Sequence, residues 1–199
     1  KASWQEVYKI IKSKLENTSK EKVSGFVGDL TNMETAYIFK EFFDRTIETD
    51  NYESRSDNRY IDTSKRENYL FNTSILGLES ADLVLLIGCN PRLEATMLNA
   101  RIRKATIQNS LKVFSFGNPG DLTYSYQVLG NNTSDIKDFL KGTGKFSEIF
   151  KKAKNPLVII GEEAPELKSG GYIFEEIKEY LIKNGFINDD WNALNILHR

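Results

Sequence analysis

One cysteine and one histidine stand among 199 residues, and that scarcity removes several kinds of chemistry at once. With Cys89 alone, no internal disulfide forms. An iron–sulfur cluster normally takes four thiolates, so this chain cannot ligate one by itself. His198 has no metal-ligand neighbour at working spacing. Charge of one sign is missing too: 27 Lys and Arg meet 28 Asp and Glu, for a net charge of −1. No global field therefore favours nucleic acid or an anionic membrane. No segment approaches the roughly 20 apolar residues that span a bilayer, and no signal peptide opens the chain. Neither G-x-G-x-x-G nor a Walker motif occurs. These absences point to a soluble protein in a reducing compartment. What is present is ordinary: 40% hydrophobic and 28% charged residues, enough for one large domain or two small ones with a real core.

The most informative stretch runs from Ala81 to Ala105, ADLVLLIGCNPRLEATMLNARIRKA. The apolar run Leu83 to Ile87, ending at Gly88, reads as a buried parallel strand. Asn90 and Pro91 then take N-cap and first-turn positions. The helix that follows has Ala95, Leu98, Ile102 and Ala105 on one face. Strand, polar turn and helix in this order form the building block of a doubly wound sheet.

Around it, Ser3–Glu6 is a capping box opening a helix to about Leu15. Val23 to Val27 reads as a strand. Thr31–Glu34 is a second capping box, before a helix with Ile38, Phe39, Phe42 and Phe43 facing inward. Thr49 to Asp62 is a polar loop, and Ser64–Glu67 a third capping box. Strands are expected at 112–116 and 157–160, with a short one at Tyr126 to Leu129. Ile173, Phe174, Ile177, Tyr180 and Leu181 line a long helix that ends at Asn184–Gly185. Gly142–Thr143–Gly144 suggests a boundary between a first α/β unit, 1–144, and the start of a second, 145–199. A chain that begins at a helix cap also has the look of an excised piece.

Taken singly, the polar groups favour plain roles. The Gly88–Arg92 turn could bind an anion at a helix N-terminus, but with neither a G-x-G-x-x-G nor a Walker motif it reads rather as a tight turn packing a helix on a sheet. Cys89 could be a nucleophile, yet without a partner histidine it reads as a small buried filler. Arg92, Arg101, Arg103 and Lys104 are spread around a helix and suit ion pairs. So do Arg55, Arg59, Lys65 and Arg66, beside Asp50, Glu53, Asp57 and Asp62. Glu162–Glu163, Glu175–Glu176 and Asp189–Asp190 read as surface charge, because adjacent residues on a helix do not face the same way. Trp4 and Trp191 are expected to be packing residues.

Longer matches carry more. GCNPRLEATMLNARIRKA, RENYLFNTSI (66–75), KVFSFGNPGDL (112–122), FSEIFKKAKNPLVIIG (146–161) and WNALNILHR (191–199) together resemble the family of the large iron–sulfur subunit of respiratory NADH–quinone oxidoreductase, complex I. The resemblance is strongest over 66–125 and 145–199 and weak over 18–60. Cys89 stands where Thr is common, and Thr96 where Pro is common.

That resemblance implies an α/β fold with a mostly parallel, Rossmann-like sheet and helices on both faces, as in the molybdopterin domains of formate dehydrogenase and DMSO reductase. It implies a middle piece of a longer subunit, whose 4Fe-4S and 2Fe-2S clusters belong to an N-terminal part absent here. No cofactor is expected in this stretch. Active molybdenum relatives ligate the metal through Cys, selenocysteine, Ser or Asp. By order along the chain, the corresponding loop is Asn51 to Tyr60, which has Ser54, Ser56 and Asp57 but no Cys. In complex I this domain is regarded as having lost the pterin. The implied role is thus a structural domain of the subunit that carries electrons from NADH toward quinone, non-catalytic itself although part of a proton-translocating enzyme. Asn90, Arg92 and Ser54 are candidates for a vestigial crevice. The alternatives are a domain that still binds molybdopterin and does two-electron chemistry, or a nucleotide-binding module at the strand ends. Implied partners are other peripheral-arm subunits, with no nucleic acid and no direct membrane insertion. The implied location is peripheral, on the cytoplasmic side of the bacterial inner membrane or the matrix side of the mitochondrial one.

Overall fold

The structure, a computed structural model, describes residues 1–28, 30–54 and 59–197. It divides into two units, Lys1–Asn58 and Arg59–Arg199, each of which is described by itself.

In the first unit, helix α1 (Trp4–Glu16) starts at the expected capping box, with the Ser3 N–H donating to Glu6 at 2.7 Å and the Glu6 N–H to Ser3 Oγ at 3.3 Å. None of its residues is buried. Trp4 is exposed and stacks on Tyr8, so it is not the packing residue its size suggests. Strand β1 (Gly25–Phe26) follows, then helix α2 (Met33–Phe42). The α2 cap is Asn32 rather than Thr31: Asn32 Oδ1 accepts the Thr35 N–H at 2.8 Å. A wide turn, Phe43–Ile47, leads to strand β2 (Tyr52–Glu53), which pairs in parallel with β1. Phe39 and Tyr52 pack on the buried Phe43 ring. Ile38 and Phe42, expected to face inward, are exposed, because a two-stranded pair covers only the Phe39–Phe43 side.

The second unit is built on β3 (Leu83–Ile87), each residue of which is at most 2% exposed. Burying one such side chain stabilises by about 2 kcal/mol before the entropy of ordering it. A short helix α3 (Pro91–Glu94) and helix α4 (Thr96–Gln108) follow, then β4 (Lys112–Phe116) and β5 (Gln127–Gly130). Helices α5 (Thr133–Leu140) and α6 (Lys145–Lys152) lead to β6 (Pro156–Ile160). Helices α7 (Glu163–Glu166) and α8 (Gly170–Lys183) lead to β7 (Leu194–Ile196). The strands form one parallel sheet in the order β5-β4-β3-β6-β7. Alternation along β3 sends Leu83, Leu85 and Ile87 to a core shared with α5, α6 and α8, and Val84 and Leu86 to a core shared with α4. The expected fold class and the parallel strands at 83–87, 112–116 and 157–160 are all present. Gly142–Thr143–Gly144 connects α5 to α6 inside this unit, and the strands before and after it share the sheet.

Three details differ from the sequence reading. The helix after Asn90 breaks at Ala95 (φ −152°) into α3 and α4. Ser64–Glu67 gives only a single turn at Arg66–Asn68, because Asp62 takes the Ser64 N–H at 2.8 Å. Strand β7 has a partner that periodicity does not show. The segment around Phe71 crosses the β7 edge, where Asn195 Oδ1 accepts the Thr73 N–H at 2.8 Å and the Ile196 N–H donates to Leu70 O at 3.1 Å.

Candidate functional site

Strand order reverses between β3 and β6, which puts the topological switch point at their carboxyl ends, where open α/β sheets place ligands. Two loops meet there: Gly88–Cys89–Asn90 after β3 and Gly161–Glu162–Glu163 after β6. They are packed backbone to backbone. A Cβ added at Gly161 would fall 2.5 Å from Gly88 O and 2.6 Å from Cys89 Cβ; one at Gly88 would fall 2.6 Å from the Ala164 nitrogen. The Glu163 N–H donates to Gly88 O at 3.2 Å, and the Gly161 N–H to Ile87 O at 3.0 Å.

Glu94 closes what remains. One of its carboxylate oxygens accepts the Asn90 N–H and the other accepts the Glu162 N–H at 3.1 Å. Burial pushes its carboxyl above the ordinary carboxylate range. The two backbone bonds oppose that shift, and repulsion from Glu162 and Glu163 adds to it. Arg59 supplies positive charge nearby, its guanidinium 3.6 Å from Glu162 and 2.6 Å from Glu166. Glu162 is thus half-buried in an ion pair rather than simple surface charge. Cys89 lies beneath, and burial, with Glu94, Glu163 and Glu162 around it, pushes its thiol well up. That makes it a poor nucleophile.

The sequence-derived candidates are all engaged locally. Asn90 caps α3, its Oδ1 3.2 Å from the Leu93 nitrogen, and its Nδ2 donates to Pro119 O at 2.8 Å. Arg92 donates to Asp121 Oδ2 at 2.6 Å and to Asp121 O at 2.9 Å. Both tie the β3 loop to the loop after β4. Ser54 belongs to the first unit, where its N–H donates to Glu53 at 2.8 Å. Ser56 and Asp57 lie outside the described residues, as do Arg55 and His198. Arg101 and Lys104 both pair with Glu79, at 2.5 and 2.9 Å. Glu94, expected with Arg92 to serve packing or subunit contacts at a crevice left vacant or filled by side chains, also bridges the two loops, a role the sequence reading did not give it although its spacing to Asn90 carries a signal. A Glu four residues after a capping Asn, one later than in a capping box, can turn back to the cap's own N–H.

At the same strand ends a cleft of about 220 Å³ opens, walled in part by the two loops themselves and lined by Ile87, Gly88, Phe116, Gly117, Thr133 and Glu163 among others. A second niche, at Cys89, Asn90, Asn118 and Pro119, has about 30 Å³, room for about one water molecule. Among the described residues no group of three His, Cys, Asp or Glu side chains could hold a metal ion. Nor is any helix long and apolar enough to cross a membrane.

A doubly wound unit with its switch point at a G-x-N-P turn matches a known family. The molybdopterin oxidoreductase family model matches residues 1–199, and the chain belongs to that family. Within it, the chain is similar to the G subunits of two NADH-quinone oxidoreductases. It is 39% identical over 197 residues to that of Rickettsia bellii, and 37% identical over 196 to that of Rickettsia prowazekii. The alignments cover 99% and 98% of this chain but 29% of each relative, so the chain spans less than a third of their length.

The family implies a pterin dinucleotide, whose phosphates would need backbone donors at these strand ends. The residues present do not fit one. Glu94 holds the Asn90 and Glu162 N–H groups, the loops leave no gap at Gly161, and Glu162 and Glu163 add negative charge near Glu94. Among the described residues, the cleft the loops help to line, about 220 Å³, is smaller than the roughly 300–1,000 Å³ usual for ligand pockets.

Proposed function

We propose that this chain is a structural domain of an electron-transfer subunit, the large iron–sulfur subunit of an NADH–quinone oxidoreductase, and that it does no redox chemistry itself. The observation that carries this reading is the closed switch point. A family member whose strand-end backbone donors are taken by its own Glu94, and whose loops are packed together at Gly161, keeps the fold and presents surfaces. The similarity to the Rickettsia G subunits supports a place in such an assembly. In this reading the clusters that pass electrons from NADH toward quinone lie elsewhere in a longer polypeptide, and the partners are other peripheral-arm subunits. The complex would sit on the cytoplasmic face of a bacterial inner membrane, or on the matrix face in a mitochondrion. The crevice residues Asn90 and Arg92 then hold loops together, with Arg92 and Asp121 near an assembly surface.

The rival reading, a domain that still binds molybdopterin and catalyses two-electron chemistry, draws on the family match over the whole chain. One experiment separates the two. The parent polypeptide is expressed in a host that makes molybdopterin, and molybdenum and released pterin are measured. The structural reading expects neither above background, with Arg92→Ala lowering the yield of assembled complex. Stoichiometric cofactor, lost on Arg92→Ala, would establish the enzyme reading instead.

A further inference from the structure

The Glu94 carboxylate does more than end a short helix. It reaches across from the β3 loop to the β6 loop and accepts one backbone N–H from each, Asn90 and Glu162. No other side chain among the described residues bonds to a backbone N–H of both loops. The loops themselves are pressed together at Gly161 and Gly88, and Glu163 N–H adds the one direct backbone bond between them apart from the strand register. A carboxylate holding convergent N–H donors at the end of a parallel sheet is the arrangement a bound phosphate makes, with the anion supplied by the chain.

We propose that Glu94 is an intramolecular anion that takes the place of a ligand phosphate at the switch point, stapling the two loops together and keeping anions out. The position of the feature follows from sequence. Pro91 fixes the first turn of α3, and four residues bring Glu94 back over the Asn90 N–H. The break at Ala95 ends α3 there, leaving Glu94 at the helix terminus, its side chain turned toward β6. Arg59, bonded to Glu166 and close to Glu162, offsets the charge gathered by Glu94, Glu162 and Glu163. The inference deepens the structural reading proposed above and rests on the same closed switch point; its test reads the two loops alone, whereas cofactor content tests that reading.

Amide hydrogen exchange on the full chain at neutral pH tests it. In the unsubstituted protein the Asn90 and Glu162 amides should be protected, and millimolar inorganic pyrophosphate should leave both unchanged. In Glu94→Ala both should lose protection by at least about tenfold, while the amides of Val84, Leu85 and Leu86 inside β3 keep theirs. Glu94→Gln keeps the side-chain size and one acceptor oxygen. It should lose protection at one of the two amides only, and it decides the matter if the alanine variant does not fold. Equal protection at both amides in the glutamine variant would overturn the staple. A shift of the Asn90 and Glu162 amides on adding pyrophosphate to the unsubstituted chain would overturn the exclusion of anions.

Discussion

Ile87, at 1% exposure in the central strand, belongs to the core shared with α5, α6 and α8. Ile87→Asp should cost about 4 kcal/mol or more, because an unpaired charge would enter that core. A melting temperature within a few degrees of the parent would show that the strand tolerates it. Tyr180 gives the opposite case. Its ring packs on Phe139 and Phe150, yet its buried hydroxyl has no hydrogen-bond partner. Tyr180→Phe removes a group that paid for desolvation and gained nothing, so stability should be unchanged or higher by about 1 kcal/mol in denaturant unfolding. Glu94 sets a pH signature. Its carboxyl is raised above the ordinary 4.5, so the folded state holds that proton more tightly than the unfolded one. Its contribution to stability therefore grows as pH falls from neutral through the raised value, and levels off below 4.5. Glu162, Glu163, Cys89 and Arg59 are the titratable or charged groups around it. At lower pH the lowered carboxyls take over with the opposite sign: Asp62, held down by Ser64 and Lys178, and Asp121, held down by the Thr123 N–H and Arg92. Stability that their ionised forms give is lost as they protonate. Unfolding measured across this range should show the upper slope in the parent and not in Glu94→Gln.

At the level of elements, the strands were legible because β3, β4 and β6 are near-continuous apolar runs closed by a glycine, a pattern that burial on both faces demands. Helix α8 was legible for the same kind of reason, its five expected core residues all being buried. Strand β7 was not, because Leu194–Ile196 has three residues and a buried asparagine at its centre, which local pattern counts against a strand. Its meaning is tertiary. Asn195 is fully buried and holds Thr73, while Asn72 donates to Leu194 O at 2.7 Å. Asn195→Ala should cost about 1–3 kcal/mol, leaving the Thr73 N–H buried without an acceptor, and should raise exchange at residues 70–73 before the rest of the sheet. The Glu94 bridge was hidden likewise: its cap half is visible in the spacing to Asn90, but its Glu162 half joins residues 68 apart.

Across the whole molecule, the two units differ in what they bury. The second holds both hydrophobic cores, so a chain of residues 59–199 should fold alone with a single cooperative thermal transition. In the first, Phe43 is the one buried residue among those described, too little apolar burial to offset chain entropy. Residues 1–58 alone should give the circular dichroism of a largely unfolded chain, and a stable, cooperatively melting fragment would contradict that.

The lock between Thr73 and Asn195 also has a timing. The two residues lie 122 positions apart, so during synthesis at roughly 5–20 residues per second the earlier one waits on the order of ten seconds for the later. For much of that interval β3 has been made but its β6 neighbour has not, and an apolar strand stands with an open edge. Ribosome-bound chains halted before Leu194 should therefore be cut by protease around residues 70–75 and held by chaperones, and chains halted far enough beyond Leu197 for β7 to emerge should be released from both.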